Sequence, residues 1–243
     1  MFEKGYNKAR MNPGPRLKFQ LNIEFDRWTC NNDVFHNSVI KDHPMLTEST
    51  DLEPDAKKAF NDRYVEKYYK THKKDLEDAE EKMKDDWMTI ESGYFEATDK
   101  LFNSRWPEGR YICYPSIFNC NPRFIETKEF QVFYKHPETT NYVCAHEMLH
   151  FIFYDYIEKH YNQKYKRLEE KVIWKLSEIF NDVVLRLPEF IAITGQKDPG
   201  IYAETRDELN DAIKLWENTK TVGAFVTKYL VLFSNPVYNF PNN

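Results

Sequence analysis

The feature that most restricts the fold is a stretch over residues 141–161 in which apolar side chains occupy nearly every face of a helical wheel. Val143, Cys144, Ala145, Met148, Leu149, Phe151, Ile152 and Phe153 leave almost no polar side for solvent. A helix of that kind belongs in the interior, with other elements packed around it. His136-Pro137 breaks the chain ahead of it, and Thr139 or Thr140 can cap it. Three ionisable residues interrupt the apolar run: His146, Glu147 and His150. Inside such a helix they need partners, and a metal ion supplies them.

His146 and His150 are four residues apart, so they share one helix face, one turn from each other. Two imidazoles so placed reach one tetrahedral ion. Glu147, beside them, can take a proton from a water that the ion activates. This is the H-E-x-x-H pattern. The plain alternative is a pair of core histidines hydrogen-bonded to their neighbours. A metal needs a third protein ligand, and the motif's resemblance to the zincin metallopeptidases implies a downstream glutamate, Glu178 or Glu169. Glu178 lies among Trp174, Leu176, Ile179 and Phe180 on a helix with two nearly opposite apolar stripes, which places it indoors. Glu169 sits in the charged run Lys166-Arg167-Leu168-Glu169-Glu170-Lys171, which should be solvated. Glu178 is the preferred ligand, and a set of two His and one Glu favours zinc.

With this motif, residues 111–187 resemble the zincin metallopeptidases, on the gluzincin side. Ser177-Glu178-Ile179-Phe180-Asn181-Asp182 is similar to the N-E-x-x-S-D segment of thermolysin-like enzymes, with Ser177 and Asn181 in place of that Asn and Ser. A metzincin would need a glycine and a His or Asp where Phe153 and Tyr156 stand. Glu169 has the spacing of the H-E-x-x-H-x18-E aminopeptidases. The resemblance implies zinc held by His146, His150 and Glu178, with Asp182 orienting His146 and Glu147 as general base. It also implies a peptide or protein substrate that adds as a strand to a sheet edge. Residues 123–126 are the candidate edge and 130–134 its neighbour. A donor for the tetrahedral oxyanion would come from a Tyr or His. Tyr154, His160, Tyr202, Tyr229 and Tyr238 are available, and the sequence singles out none of them.

The rest reads as an α+β chain, predominantly helical, with a small mixed sheet and two central helices carrying the metal ligands. Leu17, Phe19, Leu21, Ile23 and Phe25 alternate with polar residues, the period of a half-buried strand. Residues 26–53 are turn-rich and read mostly as loop. A capping box over residues 50–53 and Pro54 open a long amphipathic helix to Tyr94, with a break expected near Gly93. Its charged face is a solvated surface or, as the alternative, a partner-binding face. Residues 110–118, 123–126 and 129–135 read as strands, the last two joined by Thr127-Lys128. Pro115 and Pro122 place their strands at an edge or at strand ends. Helices are expected over 169–187, 204–217 and 222–233, with a turn at Asp198-Pro199-Gly200.

These segments make one domain over 1–243: an N-terminal strand and loop part (1–50), the long helix (51–104), a metal-binding core (105–187) and a C-terminal helical part (188–243). With 34 basic and 39 acidic side chains, the chain has no global field for nucleic acid or anionic lipid. No stretch approaches the ~20 apolar residues of a membrane span. Cys30, Cys113, Cys120 and Cys144 form no C-x-x-C pair, which argues against a small structural zinc site. Free thiols without a secretory signal suggest a reducing, cytoplasmic setting, although Cys113 and Cys120 would suit a bridge in an exported protein. The expected function is zinc-dependent cleavage of peptide bonds. The alternatives are a binding or regulatory protein that keeps a zincin site without turnover, and a metal-free module that presents the 54–94 helix.

Overall fold

The central helix runs over Thr140–Tyr165 (α5). The computed structural model describes residues 15–165, 170–197, 199–200 and 205–233, and it buries every residue from Tyr142 to Phe153. The Tyr142 N–H donates to the Thr139 hydroxyl at 3.3 Å, so Thr139 is the cap. Helix α6 (Glu170–Leu185) packs against α5, and every residue from Leu176 to Leu185 is buried. Helix α4 (Lys73–Phe102) also packs on α5, where the Tyr94 hydroxyl donates to the Ala145 carbonyl at 2.8 Å. Phe180 stacks on Phe153 with ring centroids 4.7 Å apart. Phe102 of α4, Trp216 of α8 (Arg206–Thr219) and Phe225 of α9 (Val222–Phe233) close round the same ring. Each fully buried aromatic of this kind contributes about 1.5–3 kcal/mol of transfer energy, which is why α5 and α6 hold a fixed relation.

The sheet is mixed and four-stranded. Its order is β1 (Leu17–Phe19), β2 (Tyr111–Ser116), β4 (Glu129–Phe133), β3 (Arg123–Phe124). Strands β1 and β4 both run parallel to β2, while β3 is antiparallel to β4 with Arg123 opposite Phe130. The β3–β4 turn falls at the expected place. Lys128 takes a φ of 59° there, and its N–H donates to the Phe124 carbonyl at 2.9 Å. Strand β3 is the edge, as the sequence suggested. Pro115, however, lies within β2, a central strand. It is tolerated because β1 ends opposite Cys113, two residues short of the missing N–H.

The N-terminal part departs from expectation. The strand expected over 17–25 stops at Phe19. Asn22 then caps a helix: its Oδ1 accepts the Phe25 N–H at 3.2 Å, and α1 runs over Ile23–Asn31. Residues 26–53 continue into α2 (His36–Asp42) and a 3-10 segment (Pro44–Ser49), so they are not mostly loop. The physical reason is that the buried side of α1 is polar. Asp26 accepts from Ser116 at 2.5 Å, Tyr69 at 2.6 Å and Gln131 at 2.9 Å, which fastens α1 to β2, to α3 (Pro54–Thr71) and to β4. Beneath these helices lies a second, smaller core that includes Val39, Leu46, Val65, Leu76 and Phe118.

The long amphipathic helix breaks at His72 instead of near Gly93. Helix α3 (Pro54–Thr71) ends there, and His72, with φ −109° and ψ 23°, leaves helical geometry before α4 begins. Gly93 is exposed in mid-helix and needs no break. Lys73, Lys74 and Asp75 are exposed, so the charged face is solvated. Beyond Leu185, Pro188 opens a further helix, α7 (Pro188–Thr194), where the sequence indicated only a stop. The four cysteines are free thiols, and Cys113 Sγ lies 4.0 Å from Cys144 Sγ across the β2–α5 contact. No helix among the described residues is long and apolar enough to cross a membrane.

Candidate metal centre

Helix α5 delivers His146 and His150 from consecutive turns, and α6 brings Glu178 against them. His146 Nε2 lies 3.0 Å from Glu178 Oε2 and 3.1 Å from His150 Nε2, and the third side, His150 Nε2 to Glu178 Oε2, is 3.6 Å. Donor atoms of a tetrahedral ion with bonds of about 2.0–2.1 Å stand roughly 3.3 Å apart, which the three observed separations bracket. All three residues are buried. The residues therefore fit a metal ion through three protein donors. The same atoms also form a His146–Glu178 hydrogen bond, so part of the cluster is paired without an ion. Asn181 Nδ2 donates to the His146 carbonyl at 2.9 Å and ties the ligand-bearing turn of α5 to α6.

The electrostatics favour the ligand form of His150 and Glu178 and the protonated form of His146. Burial, reinforced by the Arg123 charge, pushes the His150 pKa down to about 3, so its imidazole is neutral at pH 7. Burial also works against protonation of His146, but its hydrogen bond to Glu178 and that carboxylate's charge outweigh it and raise the pKa. Burial would raise the Glu178 pKa; the two histidines and Arg123 instead hold it far below the usual carboxylate range. Glu147 is raised by burial, against the opposing charges of Arg123 and His146. His150 Nδ1 has no partner among the described residues. An ion held by Nε2 would leave the ring proton on Nδ1.

No family model, curated protein or solved structure matches this chain. The assignment of the site therefore rests on its own geometry.

Glu147 is buried beside the ligands, and its Oε2 lies 3.5 Å from Arg123 Nη1. Arg123 reaches in from β3 and donates through Nη2 to Glu178 Oε1 at 2.6 Å. Sequence reasoning gave Arg123 only as part of an edge strand; no local pattern marks which residue of a two-residue strand turns inward. Asp182 is buried on α6, accepting from Arg186 Nη1 at 2.9 Å and Thr205 Oγ1 at 3.3 Å. The His146 charge acts on it as well.

Two cavities flank the donors. One, about 500 Å³, is lined by His146, Glu147, Tyr142 and His136. The other, about 1100 Å³, is lined by Arg123, Tyr154, Trp174 and Glu178. Val34, Phe35, Cys120 and Asn121 line both, so the cavities adjoin. His136 and Tyr142 were not foreseen as wall residues. Of the tyrosines and histidine considered as oxyanion donors, Tyr154 stands in the wall of the larger cavity. His160 packs against Tyr156 with ring centroids 4.3 Å apart, and Tyr229 donates to Glu208 at 3.4 Å. Glu169, Tyr202 and Tyr238 lie outside the described residues.

Proposed function

We propose that the chain is a zinc-dependent metallopeptidase of zincin type, in which His146, His150 and Glu178 hold the metal and Glu147 is the general base. The observation that carries this is the convergence of three buried donor atoms from two helices, with a carboxylate beside them that is not one of the three. A purely structural site would need no such base and would close its fourth position with protein. Bound zinc supplies Lewis acidity toward a carbonyl and makes a nearby water easier to deprotonate at neutral pH.

The protein's own residues do the rest. An extended peptide pairs its backbone with the free side of β3 and so crosses the mouth of the site. The adjoining cavities give its side chains room in both directions from the scissile bond, an arrangement that favours internal cleavage. Glu147 accepts the proton of the attacking water and returns it to the departing amine. Glu147 and the three ligands are each at most 5% exposed, so their charges act at lowered dielectric.

The test is hydrolysis of a mixed peptide library by the zinc-loaded protein. Cleavage lost on chelation and restored by zinc supports the reading. A protein that binds zinc at the three residues yet cleaves nothing is a binding or regulatory protein, and the peptidase reading fails.

A further inference from the structure

The metal-centre reading leaves one partly buried charge unexplained. Arg123 is the first residue of β3, and its side chain is 14% exposed. The strand holds it firmly: the Gln131 N–H donates to the Pro122 carbonyl at 2.9 Å, and Arg123 stands opposite Phe130. Its guanidinium is not centred between the two acidic residues that it faces. It lies 2.6 Å from Glu178 but 3.5 Å from Glu147. The two oxygens of Glu178 are thereby divided. Oε1 accepts from Arg123, the one donor to it among the described residues, while Oε2 faces His146 and His150.

We infer that Arg123 is a positioning residue for the third metal ligand. Resting on the metal-site reading above, this deepens it by assigning the support of that ligand. A carboxylate with one oxygen fixed by a charge-assisted hydrogen bond presents a single oxygen to the ion and cannot swing to chelate it. The support comes from the sheet edge and not from either ligand helix. It therefore joins the strand that would receive a peptide to the atom that grips the metal. Arginine suits this place better than lysine because its planar fork can face Glu178 and Glu147 together.

The experiment compares wild type, Arg123→Lys and Arg123→Met, each checked for folding by circular dichroism. Zinc affinity is measured by competition with a chromophoric chelator, and coordination by the visible spectrum of the cobalt-substituted protein. Arg123→Met should bind zinc roughly 10- to 100-fold more weakly, the usual effect of losing an outer-shell partner. Arg123→Lys should recover part of that loss, and the cobalt spectrum of Arg123→Met should differ from wild type. Affinity within roughly threefold of wild type with an unchanged spectrum overturns the inference. So does tighter binding, which would make Arg123 a competitor of the metal. If Arg123→Met does not fold, Arg123→Lys decides alone: wild-type affinity and spectrum overturn the inference. Wild-type protein that binds no zinc overturns the metal-site reading itself, a result distinct from all of these.

Discussion

Replacing Glu147 by Gln separates chemistry from metal binding. The two side chains have nearly the same shape, and Glu147 is only 1% exposed, so the packing of α5 is kept. What is lost is the capacity to accept a proton. Burial already raises the Glu147 pKa, so a neutral amide gives up little folding energy, within about 1 kcal/mol. The three donors are untouched, and Arg123 keeps its 2.6 Å contact to Glu178. A positioned general base contributes about 10²- to 10⁴-fold, or roughly 3–5 kcal/mol of barrier. Glu147→Gln should therefore lower kcat by that factor while zinc affinity stays within roughly threefold. The assay is steady-state hydrolysis of the best library peptide, run beside a zinc titration of each protein. Activity within tenfold of wild type would refute the role given to Glu147.

Two predictions concern the fold. Asp26 is fully buried, and desolvation, only partly offset by its hydrogen bonds from Ser116 and Tyr69, lifts its pKa from 3.8 to about 6. The folded state therefore prefers the protonated form, so this contribution is complete below about pH 4 and lost as pH rises through 6. The unfolding free energy of wild type minus that of Asp26→Asn should fall by about 2.4 kcal/mol between pH 4 and 7, measured by urea denaturation. A flat or rising difference contradicts the assignment. Phe180→Ala removes the ring that Phe153, Phe102, Trp216 and Phe225 enclose and should cost about 3–5 kcal/mol. Met88→Ala, at an exposed position, should stay within about 0.5 kcal/mol, and equal losses in the two variants would refute the core assignment.

What could be read from the sequence followed the apolar signal. Helices α5 and α6 were legible because nearly every side of them is hydrophobic, and His146, Glu147, His150 and Glu178 stood out against that background. The β3–β4 hairpin was legible from its turn residues. Helix α1 was not, since its buried face consists of Asp26, Thr29 and Cys30, and a polar network has no hydrophobic period. The break at His72 was misplaced because glycine was weighed by propensity, although helix packing carries Gly93 without strain. Arg123 was illegible for a different reason. Its role depends on a contact across 55 residues to Glu178, and only the fold brings that contact about.

The most direct test is an anomalous-scattering difference map at the zinc absorption edge, from crystals of protein soaked in zinc. A single strong peak in bonding contact with His146 Nε2, His150 Nε2 and a Glu178 oxygen is the predicted result. A map with no peak there, or with zinc only at surface residues, would contradict it.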